Sequence, residues 1–350
     1  MHPPRHVIEC QQFNPEFITS LYRKADEYVA MLDRVARNRS NARLLLRSRF
    51  AGYLALIFFY EPSTRTRLSF EMAARELGME AVVVEHAGTF SSVAKGETLE
   101  DTIRVLEGYH PDVIILRHRE TGAAARAAAV SSVPIVNAGD GTGQHPAQAL
   151  LDLYTTDREI GRLCDLRVVI GGDLAYGRTV RSFAYLLAKF PRISITFIAP
   201  PVLAIGDDIK NYLARHEVPF TETQELEPAF RSADIVYWTR IQKERMTPEI
   251  FEQTKGKFVI GPEEFSWLRP DARLLHPLPR IGEIVACDKI DNDPRAAFFR
   301  QAAYGIPLRM ALLDWILSDD PTWVPADDWS ESWEWVRSGA PKTRLASLRS

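Results

Sequence analysis

The stretch YLALIFFYEPSTRTRLSFEMAARELG, residues 53–78, decides the fold class. Its apolar run Leu54–Phe59 predicts a buried β-strand, because a short continuous apolar run suits a strand that is covered on both faces. Pro62 ends the run, and the Ser and Thr residues directly after it can cap a helix over Ser63–Leu77. A strand that turns straight into a helix is the repeating unit of a parallel α/β sheet.

The same alternation of β-branched runs and amphipathic stretches continues on both sides of this unit. The predicted strands are Leu54–Phe59, Ala81–Glu85, Asp112–Leu116, Val133–Asn137, Arg167–Ile170, Ser194–Ile198, Asp234–Tyr237 and Phe258–Ile260. The predicted helices are Pro15–Arg37, Ser63–Leu77, Leu99–Glu107, Gly122–Val130, His145–Ile160, Thr179–Lys189, Val202–Arg215, Glu227–Arg231 and Arg295–Leu317. This order predicts two doubly wound α/β domains with parallel sheets, joined by helices, with the last helix returning to the first domain.

We place the first domain at residues 1–149 plus 295–318 and the second at 150–294, which agrees with about 150 residues per domain. After Ser318 the composition changes, because residues 319–350 contain four of the seven tryptophans. Two interpretations of this extension stay open. It either covers apolar surface on its own domain or docks a partner chain through its Trp and Arg side chains.

Composition and charge exclude several classes of protein. The chain is 46% hydrophobic and 25% charged, with a net charge of −3, so it has no overall field that would attract nucleic acid or a membrane surface. Three scattered cysteines are too few for a disulfide framework or a four-ligand metal site, and no apolar run reaches the length of a membrane span. We therefore expect a soluble cytoplasmic protein.

The motif PSTRTR at residues 62–67 places Arg65 and Arg67 at the predicted start of a helix. Positive charge is unfavourable there, because the helix dipole and the free backbone N–H groups already favour an anion. A bound phosphate would resolve this conflict. The alternative is a solvated arginine pair on a surface helix.

A second candidate segment is SSVAKGET at residues 91–98, where small residues surround Lys95. Such a loop suits a lid whose lysine arrives with an anion, although an ordinary surface loop fits the same pattern. It is not a Walker A loop, because Lys95 precedes Gly96 instead of following a GxxxxG run.

Further candidates follow predicted strands, where open α/β sheets bind their ligands. Arg117 and His118 follow one strand, and His145 follows another. A neutral histidine can polarise a carbonyl oxygen, and Gln148 lies three residues on along the same helix face.

The second half repeats this arrangement. Arg178 follows one predicted strand, and Arg240 and Gln242 follow a later one. Two guanidinium groups suit a substrate with two carboxylates. A dinucleotide-binding fold is the alternative, but GGDLAYG at residues 171–177 is not GxGxxG, and no acidic residue follows the next strand.

Together these segments resemble the catalytic chains of the aspartate carbamoyltransferase family. The resemblance extends from about His6 to Leu317 and rests on seven motifs in order. They are PSTRTR at 62–67, SSVAKGET at 91–98, RH at 117–118, HPAQ at 145–148, DLAYGRT at 173–179, TRIQKER at 239–245 and HPLPR at 276–280.

The resemblance implies transfer of the carbamoyl group of carbamoyl phosphate to L-aspartate in pyrimidine synthesis, without cofactor or metal. It implies that the catalytic residues are Arg65, Thr66, Lys95, Arg117, His145 and Gln148. Carbamoyl phosphate would be bound by these residues together with Ser63, Thr64 and Ser91. Aspartate would be bound by Arg178, Arg240, Gln242 and the backbone carbonyls of Leu278 and Pro279, with Glu244 fixing Arg240.

The resemblance also implies a homotrimer in which Ser91 and Lys95 reach the active site of a neighbouring subunit, and a larger assembly with regulatory chains is possible. One departure is Ala175, where the family's DLKYGRT motif has lysine. Ala175 leaves open a related acidic or ureido substrate. Transfer to ornithine is a disfavoured alternative, because the ornithine branch would show HCLP where this chain has HPLP at residues 276–279. A non-catalytic assembly role is the other alternative, and the intact phosphate-side and carbonyl-side residues argue against it.

Overall fold

The computed structural model describes residues 4–37, 39–90 and 96–319. The chain divides into two compact units. The first comprises residues 1–147 and the chain from Tyr304 onward, and the second comprises Gln148–Ala303. The chain thus returns to the first unit nine residues later than the boundary at 295 that we predicted from sequence. Among the described helices, none is long and apolar enough to span a membrane.

The first unit contains a parallel sheet of four strands in the order β2-β1-β3-β4. The strands are β1 (Leu54–Phe59), β2 (Glu80–Val84), β3 (Val113–His118) and β4 (Ile135–Asp140). The helices are α1 (Pro15–Arg37), α2 (Arg39–Arg47), α3 (Thr64–Glu76), α4 (Ala87–Phe90), α5 (Leu99–Glu107), α6 (Ala123–Val130) and, at the end of the described chain, α15 (Gly305–Leu317). The apolar runs of β1 and β3 are buried, as expected for central strands between helices.

The second unit contains a parallel sheet of five strands in the order β7-β6-β5-β8-β9. The strands are β5 (Leu166–Gly171), β6 (Ile193–Ile198), β7 (Phe220–Thr223), β8 (Ile235–Trp238) and β9 (Arg273–Leu275). The helices are α7 (Pro146–Ile160), which begins in the first unit, α8 (Arg178–Leu187), α9 (Asp207–Arg215), α10 (Leu226–Ser232), α11 (Pro248–Thr254), α12 (Pro262–Ser266), α13 (Asp288–Asp291) and α14 (Phe298–Ala303).

Two predictions about the second half are wrong. The segment Phe258–Ile260 is not a strand, because Phe258 has a φ of 53° and only Ile260 forms an isolated bridge. The stretch Arg295–Leu317 is two helices, α14 and α15, instead of one. Pro307 explains the break, since it lacks the N–H that would continue an α-helix from the preceding turn.

Candidate active site

In the first unit, three neighbouring strands bring candidate residues to one edge of the sheet. β1, β3 and β4 are adjacent and parallel, so their carboxyl ends lie together. Arg65 lies on the helix that follows β1, Arg117 lies at the end of β3, and His145 lies in the segment after β4. The strand order reverses between β1 and β3, which is where open α/β sheets bind ligands.

The PSTRTR segment forms the start of α3. Ser63 is the N-cap residue in an extended conformation, but its side chain makes no capping hydrogen bond. Thr66 is buried at 6% exposure, whereas Thr64 and Arg65 are exposed. Arg67 is ion-paired on its own unit, with the Glu71 carboxylate at 2.9 Å and the Glu85 carboxylate at 3.1 Å. These ion pairs hold the Arg67 guanidinium beside acidic side chains of its own unit, whereas Arg65 lies on the exposed side of the first turn of α3.

Arg117 is held from two sides. Its Nη1 donates to the backbone oxygen of Ala138 at 3.1 Å, and its Nη2 donates to Glu61 Oε1 at 2.9 Å. Only 8% of Arg117 is exposed. Sequence reasoning missed Glu61, although it stands directly before the PSTRTR motif.

The loop before His145 is fixed by Asp140. Its Oδ1 accepts the N–H of Gln144 at 2.9 Å, and its Oδ2 accepts the N–H of Gly122 at 2.8 Å. Gly141 is required there, because its φ is +48° and a Cβ would lie 2.7 Å from the backbone nitrogen of Thr121. His145 lies directly before α7 and is 3% exposed, so the loop places a buried imidazole after the carboxyl end of β4.

His118 has a different role from the one its motif suggested. Burial lowers its pKa, so the ring is neutral at pH 7, and Nδ1 accepts the N–H of Glu120 at 3.0 Å. The ring also packs edge-on against Tyr60. His118 thus anchors the turn after β3.

In the second unit, candidate residues follow the neighbouring strands β5, β8 and β9. Arg178 begins α8 after β5 and is 6% exposed. Arg240 and Gln242 follow β8, and both are half-buried. The strand order reverses between β5 and β8, so this unit repeats the arrangement of the first.

Asp173 joins the loops after β5 and β8, and sequence reasoning gave it no role. Its Oδ1 accepts the N–H of Tyr176 at 2.9 Å, and its Oδ2 accepts the N–H of Gln242 at 3.0 Å. Burial raises the pKa of the Asp173 carboxyl, and these hydrogen bonds oppose that rise. The bridge fixes both loops that carry the predicted aspartate ligands.

Arg240 forms a bidentate pair with Glu244, in which Nη1 lies 3.0 Å from Oε2 and Nη2 bonds the other oxygen. The hydrogen bonds that Arg240 donates to Glu244 raise the pKa of Arg240. Burial acts to raise the pKa of Glu244, but the Arg240 hydrogen bond and charge bring it below its usual value. Both groups are therefore charged at neutral pH.

The segment after β9 is held by His276. Its Nδ1 accepts the N–H of Leu278 at 2.8 Å, and its Nε2 lies 2.8 Å from Glu283 Oε1. Leu278 has a φ of 57°, which a leucine adopts at a cost of about 1 kcal/mol or more. These contacts fix the backbone of Leu278 and Pro279, whose carbonyls are the predicted amine ligands.

Gln148 lies on α7 in the second unit, three residues after His145, and is 9% exposed. Its Nε2 donates to the fully buried Asp152 at 2.7 Å. Ser91 and Lys95 lie outside the described residues, as does the extension from residue 320. Within the described ranges, no three His, Cys, Asp or Glu side chains are grouped so that they could hold a metal ion.

Comparison with protein-family models gives a match over nearly the whole chain. Residues 5–158 match the carbamoyl-phosphate-binding domain of aspartate/ornithine carbamoyltransferases, and residues 164–316 match the aspartate/ornithine-binding domain. The chain belongs to the aspartate/ornithine carbamoyltransferase family.

Curated relatives in this family are named aspartate carbamoyltransferases. A protein from Pisum sativum, named aspartate carbamoyltransferase 3, chloroplastic, is 50% identical over 89% of this chain and 77% of its own length. The aspartate carbamoyltransferase catalytic subunit of Methanocella arvoryzae is 42% identical over 90% of this chain and 98% of its own.

Solved structures of family members have the same fold. The catalytic subunit of M. jannaschii aspartate transcarbamoylase superposes with a TM-score of 0.79 at 42% identity, covering 91% of this chain and 99% of its own. The Trypanosoma cruzi enzyme in complex with carbamoyl phosphate and aspartate gives 0.80 at 33% identity, covering 90% and 98%.

Proposed function

We propose that this chain is an aspartate carbamoyltransferase that transfers the carbamoyl group of carbamoyl phosphate to the amine of L-aspartate, yielding N-carbamoyl-L-aspartate and phosphate. The observation that carries the proposal is the placement of Arg178 and Arg240 after the neighbouring strands β5 and β8. Two fixed guanidinium groups match the two carboxylates of aspartate. Relatives that share most of this chain's length carry that enzyme name. The product would enter pyrimidine synthesis.

The proposed mechanism needs no covalent nucleophile. The uncharged amine attacks the carbamoyl carbon, a C–N bond forms, and negative charge develops on the carbonyl oxygen before the bond to the phosphate oxygen breaks. Buried donors from Thr66, Arg117 and His145 stabilise this charge, because they are oriented before the reaction begins. The departing phosphate accepts the proton that the amine loses.

Phosphate binding is proposed at the start of α3. Ser63, Thr64, Arg65 and Thr66 all belong to its first turn, where backbone N–H groups and the helix dipole favour an anion. Arg117 adds a guanidinium from the end of β3. From the neighbouring subunit, Ser91 and Lys95 would add a hydroxyl and an ammonium group.

An assay of the purified chain tests this function. Carbamoyl phosphate is supplied with aspartate, ornithine or other amines, and released phosphate and carbamoylated product are both measured. We expect turnover with aspartate and none with ornithine, since ornithine has no side-chain carboxylate for Arg240 and Gln242. Product from ornithine alone would support the ornithine branch, and no product from any amine would support an assembly role.

We propose a homotrimer with shared active sites. Support comes from the exposed side chains Leu68 and Met72 on α3 and Val82 on the edge strand β2, which present apolar surface on the first unit. Mixing Lys95→Ala chains with Arg65→Ala chains tests the shared site. Hybrids regain part of the activity if some interfaces carry both native residues, whereas fully inactive hybrids of correct mass would contradict it.

The proposed compartment is the cytoplasm. Cys10, Cys164 and Cys287 form no disulfide bond with one another, as expected in a reducing environment. The plant relatives are named chloroplastic, so compartment varies among proteins of this type. Microscopy of a tagged chain in its native cell would decide it.

A further inference from the structure

A buried carboxylate of the second unit contacts the candidate residue Gln148, and the proposed reaction does not use it. Asp152 is 0% exposed on α7, one turn after Gln148. It accepts hydrogen bonds from Gln148 Nε2 at 2.7 Å, from Gln301 Nε2 at 2.6 Å and from the Tyr237 hydroxyl at 2.8 Å. A carboxyl group that accepts several hydrogen bonds from buried donors holds those donors in place.

Gln148 is oriented by this contact. A primary amide has one end that donates and one that accepts. In the structure the Nε2 of Gln148 donates to Asp152, so its Oε1 is the end that remains to accept a hydrogen bond. The NH2 group of a carbamoyl ligand donates hydrogen bonds, so it requires an acceptor oxygen. A reversed Gln148 amide would place its own NH2 group against the NH2 group of the ligand, and two donors cannot form a hydrogen bond.

Asp152 is itself held in place. The Tyr237 hydroxyl donates to its Oδ2, while the Gln148 and Gln301 amides both donate to its Oδ1. Gln301 is 1% exposed and its orientation is fixed as well, because its Oε1 accepts the backbone N–H of His276 at 2.9 Å. The same network thus reaches the segment that precedes Leu278 and Pro279.

We infer that Asp152 is a positioning residue, which fixes the amide of Gln148 so that Oε1 accepts a hydrogen bond from the carbamoyl NH2. Through this contact the site selects carbamoyl phosphate over acyl phosphates, which lack that NH2 group. This inference rests on the proposed function, because it takes carbamoyl phosphate as the ligand. It makes Asp152 a determinant of specificity that never contacts substrate.

The experiment compares two ligands that differ at the group concerned. Acetyl phosphate has a methyl group where carbamoyl phosphate has NH2, and the two are otherwise similar in shape and charge. Calorimetric titration gives the Kd of each for the assembled native protein. We expect carbamoyl phosphate to bind about tenfold more tightly, as one well-made hydrogen bond allows.

Asp152→Leu removes the acceptor oxygens and keeps the branched shape of the side chain. We expect the tenfold preference to fall to about twofold or less, mainly through weaker binding of carbamoyl phosphate, with acetyl phosphate affinity changed by less than about twofold. Tyr237→Phe is the matched control, because it removes one donor to Asp152 and leaves the Gln148 contact. It should keep most of the preference.

Asp152→Asn covers the case in which the leucine variant does not fold. It keeps one acceptor oxygen but replaces the other with an NH2 donor, so it should hold Gln148 less firmly and lower the preference about threefold. In a Gln148→Ala background the same change should have no further effect on the preference, since the residue through which it acts is gone.

Each other outcome overturns the inference. Equal weakening of both ligands by the Asp152 variants would show a purely structural role, and so would an equal loss of preference in Tyr237→Phe. An unchanged preference in the Asp152 variants would show that Gln148 is oriented by other contacts. Failure of the native protein to bind carbamoyl phosphate would overturn the proposed function too, whereas native binding with an unaltered preference in the variants overturns only the role of Asp152.

Discussion

The two units carry their candidate residues in different ways. In the first unit, Thr66, Arg117 and His145 are at most 8% exposed, at strand ends or in the segments that follow them. In the second unit, Arg178 is buried to a similar extent, but Arg240 and Gln242 are half-buried in the loop that follows β8, where Glu244 and Asp173 accept hydrogen bonds from them. The first arrangement suits charge stabilisation during the reaction, and the second suits capture of a substrate that must enter and leave.

The largest effect is expected where the first unit loses its fixed cation. Arg117→Ala removes a buried guanidinium proposed to face the charge that develops on the carbonyl oxygen and phosphate. We expect kcat to fall by about 10²–10³, as when one preorganised donor is lost. Steady-state kinetics with both substrates saturating measures it.

Arg126→Ala is the control for that variant. Arg126 also lies on the first unit, but it is more exposed and pairs with Glu100 and Glu120. It should keep kcat within about twofold, since exposed ion pairs contribute little. Equal losses in both variants would mean that Arg117 acts through the fold and not through the reaction.

In the second unit, Arg240→Ala should mainly change aspartate binding. We expect the KM for aspartate to rise roughly tenfold to a hundredfold, because a charge-assisted contact to one carboxylate is lost, while the Kd of carbamoyl phosphate stays the same. Arg231→Ala is the matched control, since Arg231 forms the same i,i+4 pair with Glu227 on α10. If Arg240→Ala lowers kcat and leaves the KM for aspartate unchanged, Arg240 does not serve substrate capture, and the proposed difference between the units is contradicted.

Sequence reasoning located the central strands because their physics is local. Leu54–Phe59 is a continuous apolar run, and its bounds in the structure match the prediction. The edge strand Phe220–Thr223 was missed, because the sequence FTET gives no apolar run and its place depends on pairing with β6. The false strand at Phe258–Ile260 has the right composition, but a positive φ at Phe258 excludes it.

The residues of the candidate site also fall into those that sequence reasoning located and those that it missed. Arginines and histidines after predicted strands were recognisable, since strand ends carry the ligands of α/β sheets. The acidic residues that hold them were not, because Glu61, Asp152 and Asp173 act through contacts that depend on the folded chain. Asp152 in particular meets Tyr237 and Gln301, 85 and 149 residues further along. Only tertiary structure brings such partners together.

The contribution of acidic side chains to the second unit can be tested by measuring its free energy of unfolding. Glu159 is bonded to Arg300 at 2.7 Å and to Arg273 at 3.2 Å, next to β9 and α14. Burial acts to raise the pKa of Glu159, but these two arginines bring it below 4.5. Glu159→Gln should lower the free energy of unfolding by about 2 kcal/mol at pH 7 in urea titrations.

The sign of the pH dependence follows from that lowered pKa. The stabilisation by Glu159 is fully present above the unfolded value of 4.5 and is lost as the pH falls through the lower folded value. The difference between native protein and Glu159→Gln should therefore shrink in acid. Glu227→Gln, at the exposed Arg231 pair, should cost less than about 0.5 kcal/mol, and an equal cost would contradict the role of Glu159.

The smallest effect is expected at Ala175, where the second unit departs from the family motif. Ala175 is half-buried in the turn between β5 and α8, beside Tyr176, whose N–H is bonded to Asp173. Ala175→Lys adds a cation next to the loop proposed to bind aspartate, so the KM for aspartate should fall about threefold at low salt and less at high salt. Ala175→Gln adds similar length without charge and should leave KM unchanged. If both variants alter KM equally, the conformation of the turn and not the added charge changes aspartate binding.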